Sequence, residues 1–302
     1  MKAVVVALAV APAAFARTFT FYNGCPFTIW PAMFTDLNRN AQVRCRLQCI
    51  VIGTSMTDTV LSSLLFPLHL AAQLLGRLRL VLLLRLVLLK PPPGVPTGWE
   101  APAYSARTYT IPDNWKSARV WGRRNCDFTS SLPDYAQCLT GGCVGGLQCD
   151  TSRGTGVPPV SLAEFNLDDN GNDWYDISFV DGYNLPISIW SSKGCPSPAC
   201  KVDLGPNCPA PLKGPYDSSG FPSAASPPAT RTSTVTSRTA PTAGSHSTPA
   251  TCPSSGVQYY SYFKGACPNA YAYAYDESSE SALWTCNSTL KSDYTITWCP
   301  PA

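Results

Sequence analysis

Apolar and polar positions alternate with a period of two along most of this chain, in short runs broken by turn residues. Arg17 to Met33 reads RTFTFYNGCPFTIWPAM: an alternating strand, a turn at Asn23-Gly24, and a second strand. The same period marks Ala106 to Pro112 (ARTYTIP) and Ala118 to Arg123 (ARVWGR). SLAEFNL and WYDISFV form a further pair around the turn-prone DDNGND, and ISIW (Ile187 to Trp190) follows. Structured signals return in VQYYSYFKGACPNAYAYAYDE (Val257 to Glu277) and DYTITWC (Asp293 to Cys299). No long amphipathic helix is visible in this pattern, so the expected class is mainly β.

Two segments break the pattern. Arg39 to Ile50 is basic, and Val60 to Leu89 is Leu-rich with Arg77, Arg79 and Arg85 embedded. A membrane span is a poor reading of the Leu run. Its longest uncharged piece, Val60 to Gly76, contains Pro67 and His69, and each arginine would cost about 2.5–3.5 kcal/mol at bilayer centre. Residues 221–243 are rich in Ser, Thr, Pro and Ala, lack a core-forming pattern, and read as a disordered or O-glycosylated linker.

Composition changes the picture in two ways. Fourteen cysteines are far too many for an ordinary cytosolic enzyme, and the N-terminus fits that: Lys2, an apolar run from Ala3 to Ala14, and Ala14-Phe15-Ala16 as a small-x-small cleavage site. The expectation is a secreted, extracellular or cell-wall protein stapled by disulfides. With two histidines and no paired CxxC, zinc is discounted, and no metal or cofactor is expected. The net charge of +3 conceals a regional split, because residues 39–95 and 221–243 are basic while the rest carries more acids than bases. An acidic body argues against a nucleic-acid partner and suits a cleft for neutral sugars.

The candidate chemistry lies in Leu162 to Pro186, which holds Glu164, Asp168, Asp169, Asp173, Asp176 and Asp181 and no basic residue. Alternation puts Tyr175, Ile177 and Phe179 on one face of the second strand and Asp176 and Ser178 on the other. Asp181 would fall on the apolar face unless the Asp-Gly turn at Gly182 ends the strand and re-aims it. Crowded carboxylates separate in pKa, which acid/base work on a glycosidic bond requires. The alternative is a solvated acidic loop. No EF-hand spacing supports calcium, GTGVPP (Gly154 to Pro159) lacks the Lys of a phosphate loop, and His69 and His246 both lie in the anomalous segments.

The segments FTFYNGCPFTIWPAM, PTGWEAPAYSARTYTIP, WGRRNCDF, CLTGGCVGGLQC, PPVSLAEFNL, DWYDISFVDGYNLPI, YYSYFKGACPNAYAYAYDE and WCPP run in the order of the thaumatin-like proteins, which are osmotin-like and pathogenesis-related. The chain resembles that family and looks closest to its fungal branch, because it has TGGC where the plant form has TGDC. The resemblance implies a flattened β-sandwich with disulfide-rich excursions and an acidic cleft between the sandwich and the larger excursion. Its cleft signature of an Arg, a Glu and three Asp falls on Arg123, Glu164, Asp176, Asp181 and Asp276. It also implies the pairs Cys25–Cys299, Cys126–Cys138, Cys143–Cys149, Cys195–Cys286 and Cys200–Cys267. Cys208 and Cys252 are left without family partners, and Cys45 and Cys49 belong to the insert.

The expected organisation is a signal peptide over 1–16, sandwich over 17–38, a non-family insert over 39–95, and sandwich again over 96–123. A small disulfide-rich excursion over 124–161 and the acidic strands over 162–194 follow. Residues 195–267 form the larger excursion, disrupted by 221–243, and 268–302 complete the sandwich. Relatives have only a short connection where 39–95 stands, and a helix with further cysteines near 221–243. We therefore read both segments as retained intron or frame-shifted sequence.

The function implied is binding and hydrolysis of β-1,3-glucan or a related cell-wall polysaccharide by a monomer, as an endo-glucanase. Glu164 would be general acid and Asp181 base or nucleophile, with Asp176 and Asp276 shaping the field and Arg123 orienting carboxylates. The alternative is a non-catalytic glucan-binding or antifungal defence-type protein. Trp174, Tyr183 and Tyr271 are candidates for stacking on sugar, with core packing the competing role. Asn287-Ser288-Thr289 is a glycosylation sequon.

Overall fold

The computed structural model describes residues 16–35, 95–153, 156–227 and 248–301. Nearly all of the expected signal peptide, nearly all of the 39–95 insert with Cys45 and Cys49, and residues 228–247 lie outside the described residues.

The described residues form eleven strands in two sheets, the alternating runs among them. The first sheet is ordered β3 (Ser105–Pro112), β1 (Ala16–Asn23), β11 (Tyr294–Trp298), β8 (Ile187–Ser191), β9 (Ala199–Cys200). The second is ordered β10 (Leu283–Asn287), β7 (Asn172–Ser178), β6 (Leu162–Asp169), β4 (Ala118–Cys126), β2 (Trp30–Thr35), with β5 (Cys138–Thr140) paired to β4 outside that path. β1 and β11 pair in parallel at the middle of the first sheet, and Cys25–Cys299 lies just beyond the end of that pair. The mainly β sandwich read from the sequence is the fold observed.

Alternation fills the space between the sheets. Phe19 of β1 meets Phe165 of β6 at 5.1 Å, Tyr294 of β11 at 5.3 Å and Trp115 at 5.6 Å between ring centroids. Each of these rings is almost wholly removed from water, which contributes roughly 1.5–3 kcal/mol per side chain. Ile177 and Phe179 are fully buried as the period required, and Tyr175 with them.

A charged cluster sits at one end of this core. Arg17 is buried and pairs with Asp113 at 2.9 Å and with Asp173, while Tyr294 Oη donates to Asp173 at 2.8 Å and Lys291 meets Asp113 at 2.9 Å. Asp173 also accepts the Asp168 backbone N–H at 3.0 Å. Every charge there has a partner.

The described cysteines form Cys25–Cys299, Cys126–Cys138, Cys143–Cys149, Cys195–Cys286 and Cys200–Cys267, the five pairs the resemblance implied. Cys208 and Cys252 are buried free thiols in separate apolar clusters. The linker reading of 221–243 is corrected at its start. Ala225 exchanges both backbone hydrogen bonds with Tyr183 (2.8 and 2.9 Å), Gly214 N–H donates to Ala224 at 3.1 Å, and both alanines are fully buried. Small side chains, silent in a hydrophobic pattern, fit there because the backbone itself is paired.

Tyr260–Ala266 forms a short helix, α1. The following loop is laced to β7 through Tyr271, which donates to Ile177 O at 2.8 Å and accepts from Phe179 N at 2.9 Å. With Cys200–Cys267 this fixes one wall beside the acidic strands, despite the irregular sequence elsewhere in the larger excursion.

Candidate functional site

Residues directly opposite in an antiparallel ladder share a face and stand about 5 Å apart at Cβ. Register in the second sheet pairs Phe34 with Arg119, Arg119 with Glu164, Glu164 with Asp176, and Asp176 with Leu283. One row across five strands therefore reads Phe–Arg–Glu–Asp–Leu on the face turned away from the core. The row beside it, Ala32–Trp121–Leu162–Ser178, is buried. The row on the other side brings Asn166, the half-buried Trp174 and the exposed Thr285. The acidic row thus runs along the border between a dry patch and an open polar one.

Arg119 Nε binds Glu164 Oε1 at 2.7 Å, with both side chains roughly one-third exposed (36% and 28%). Asp176 has no such partner: its Oδ1 is buried without a hydrogen bond among the described residues. Burial pushes the Asp176 carboxyl well above the usual carboxylate range. The negative charges of Glu164 and Glu277 push the same way, and Arg119 opposes them.

Asp181 lies in the turn that the Asp-Gly pair predicted. β7 stops at Ser178, Gly182 takes φ +90°, and its N–H closes the turn on Phe179 O at 2.9 Å. Burial raises the Asp181 pKa, again against Arg119. From the wall, Tyr271 contributes a buried phenol hydrogen-bonded to the exposed Glu277, and burial with the Asp176 and Glu277 charges raises its pKa.

Two expected cleft residues are placed elsewhere. Arg123 touches no carboxylate among the described residues. Its guanidinium is fully buried and donates to Trp30 O (2.8 Å), Gly146 O (2.7 Å), Leu147 O (2.9 Å) and Pro31 O (3.3 Å), tying the small excursion to β2. The arginine that meets Glu164 is Arg119, two pleat repeats away on the same face. Alternation gives Arg119 and Arg123 equal standing, and only the register with Glu164 separates them. Asp276 is fully buried and held by Lys264 (3.0 Å), Tyr260 Oη (2.9 Å) and the Ala272 N–H (2.9 Å), so it fastens α1 to the wall loop. Its neighbour Glu277 is the carboxylate that acts on Asp176 and Tyr271.

Of the stacking candidates, Tyr183 is fully buried in the core, Tyr271 is buried in the wall, and Trp174 stands half-exposed beside the row. Asn287 is exposed, with its Oδ1 accepting from Thr289 N (2.9 Å) and Oγ1 (2.7 Å). No cluster suited to a metal ion occurs among the described residues. No described helix is long and apolar enough to cross a membrane.

A model of the thaumatin family matches residues 88–300. The pathogenesis-related thaumatin-like protein 3.5 of Cryptomeria japonica is 42% identical over 194 residues, covering 63% of this chain and 73% of the relative. Pathogenesis-related protein 5 of Arabidopsis thaliana is 39% identical over 207 residues, covering 67% and 79%. Among solved structures, a thaumatin-like xylanase inhibitor aligns over 93% of this chain and 99% of its own, with 16% identity and a TM-score of 0.39.

Proposed function

The chain belongs to the thaumatin family, and from that premise we propose a secreted protein that binds β-1,3-glucan along its acidic row and hydrolyses it. The observation that carries this reading is the Arg119–Glu164–Asp176 row, with Asp181, in the Gly182 turn, within reach of the Arg119 charge. The face joins one ion-paired carboxylate to carboxyls whose pKa burial raises, the separation glycosidic cleavage needs.

On the strength of the ion pair, our proposed roles are opposite to those read from sequence. Arg119 holds Glu164 as a carboxylate, so Glu164 is the base or nucleophile. Asp181, half-buried and raised in pKa, protonates the leaving glycosidic oxygen. Asp176, with its Oδ1 buried and its pKa raised, adds to the field beside Glu164. Trp174 supports one sugar face.

Secretion is supported by five disulfides, which persist in oxidising compartments. The exposed Asn287 sequon would carry glycan there. We keep the fungal-branch assignment on Gly142. A Cβ at that position would stand 2.2 Å from Tyr135 O, so the Asp of the plant form does not fit this backbone.

The test is release of reducing ends from a linear β-1,3-glucan. Glu164→Gln should reduce release by about 10²–10⁴-fold and leave soluble-oligosaccharide binding in place. Equal activity in both proteins would refute the assignment. Binding without hydrolysis in the wild type selects the non-catalytic reading.

A further inference from the structure

The outward face of the first sheet, on the far side of the sandwich, has an unusual composition. Register lines up Thr108, Thr20, Thr295 and Trp190 in one row across β3, β1, β11 and β8. The next row is Ala106, Tyr22, Thr297 and Ser188. Neither row contains a charge, although the solvent face of a soluble antiparallel sheet ordinarily carries several. The charged residues nearest in sequence are turned elsewhere. Asp293 accepts the Thr18 backbone N–H at 2.7 Å at the sheet's end, and Arg107 pairs with Phe21 and so belongs to the opposite parity.

These residues are accessible among the described ones. Thr108 is exposed, Thr20 and Thr295 are half-exposed, and Trp190 keeps 54% of its surface in water. The Thr20 and Thr108 hydroxyls lie 3.0 Å apart and hold one another in place. β-Branched side chains have few rotamers, so such a surface binds with little further loss of freedom. It offers methyl, hydroxyl and indole together, over about 15 Å across four strands, with no groove to take a single chain.

We propose that this face is a second, non-catalytic binding site for the surface of a packed, uncharged polysaccharide. Hydroxyls there meet hydroxyls, the Trp190 indole lies against a sugar C–H face, and no charge has to be stripped of water. Nucleic acid and anionic lipid are disfavoured because both require cations that the two rows lack. The ligand is a neutral glycan, as in the reading above, but the site is separate, so the two stand or fall independently.

The experiment is co-sedimentation of the full chain with insoluble linear β-1,3-glucan particles, beside binding of a soluble β-1,3-linked oligosaccharide. Wild type should sediment with the particles. Thr20→Lys/Thr295→Lys should weaken that at least about tenfold, and Trp190→Ala about fivefold, each with unchanged soluble binding. Glu164→Gln should still sediment. Thr108→Lys on the edge strand is the second test should the double variant fail to fold. Undiminished sedimentation of the variants, or no sedimentation of wild type, overturns the proposal. So does sedimentation without particles that the lysines abolish, which would assign the face to a second copy of the chain. Loss of soluble binding alone would instead count against the acidic row.

Discussion

Two charged clusters lie on the same sandwich and are built on opposite principles. At the end of the core, Arg17, Asp113, Asp173 and Lys291 neutralise one another, and Tyr294 and the Asp168 N–H take up further acceptor capacity. On the outer face Glu164 has Arg119, yet the buried Oδ1 of the half-buried Asp176 is left bare. The first cluster keeps its charges in one fixed state. The second leaves proton occupancy open, which suits a site that must exchange protons. Saturation marks a group that holds the fold, and deficit marks one available for chemistry.

The largest effect should come from desaturating the first cluster. Asp173→Ala leaves the Arg17 guanidinium buried and half-paired and should destabilise the protein by about 3–5 kcal/mol in urea unfolding. An effect below about 1 kcal/mol would mean that the pairing is ornamental. The converse change is smaller and of opposite sign. Asp176→Asn should stabilise the protein by about 1–3 kcal/mol near neutral pH, because it removes a carboxyl that ionises freely in the unfolded chain but poorly beside Glu164.

The pH dependences of the two clusters should also oppose one another. Asp176 has a raised folded pKa, so its stability contribution is full below the unfolded carboxyl value and is lost as pH rises through the folded value. The gain from Asn should therefore be small near pH 4 and grow toward neutrality. For Asp113, burial acts upward, but Lys291 and Arg17 outweigh it and lower the pKa. Its contribution is present above the unfolded value and lost as pH falls through the folded one. Urea midpoints of wild type and Asp113→Asn should converge only in strong acid. Convergence at neutral pH would show that Asp113 is not held by its partners.

The subtlest expected change is a displacement of the activity profile. Arg119 lowers the pKa of Asp181 and of Asp176. Arg119→Leu should therefore carry the alkaline limb of hydrolysis upward in pH as well as slowing turnover, and Arg119→Lys should restore the limb. A slower enzyme with an unmoved limb would reduce Arg119 to a packing role.

Much of this was readable in the chain, and the limits are physical. Period-two alternation located β1, β3, β4, β6, β7, β8 and β11 because each has a buried and an outward face. Gly182 announced the turn that brings Asp181 round, since positive φ is cheap only for glycine. Register was not readable. It decides between Arg119 and Arg123, which alternation places on one face. Asp276 and Glu277 are adjacent in a short 3-10 turn, which sends one inward and the other outward. Ala224 and Ala225 were missed for another reason: they are held by backbone pairing, which leaves no hydrophobic trace. The Thr rows were invisible in single runs, because the face exists only once β1, β3, β11 and β8 are side by side.

The parallel pairing of β1 with β11 has a consequence in time. The strand made first and the strand made last are neighbours at the middle of one sheet. As the chain leaves the ribosome, Phe19 and Phe21 wait for Tyr294 and Ile296 until every residue between them has emerged. A product terminated anywhere before Tyr294 lacks the middle of its own sheet.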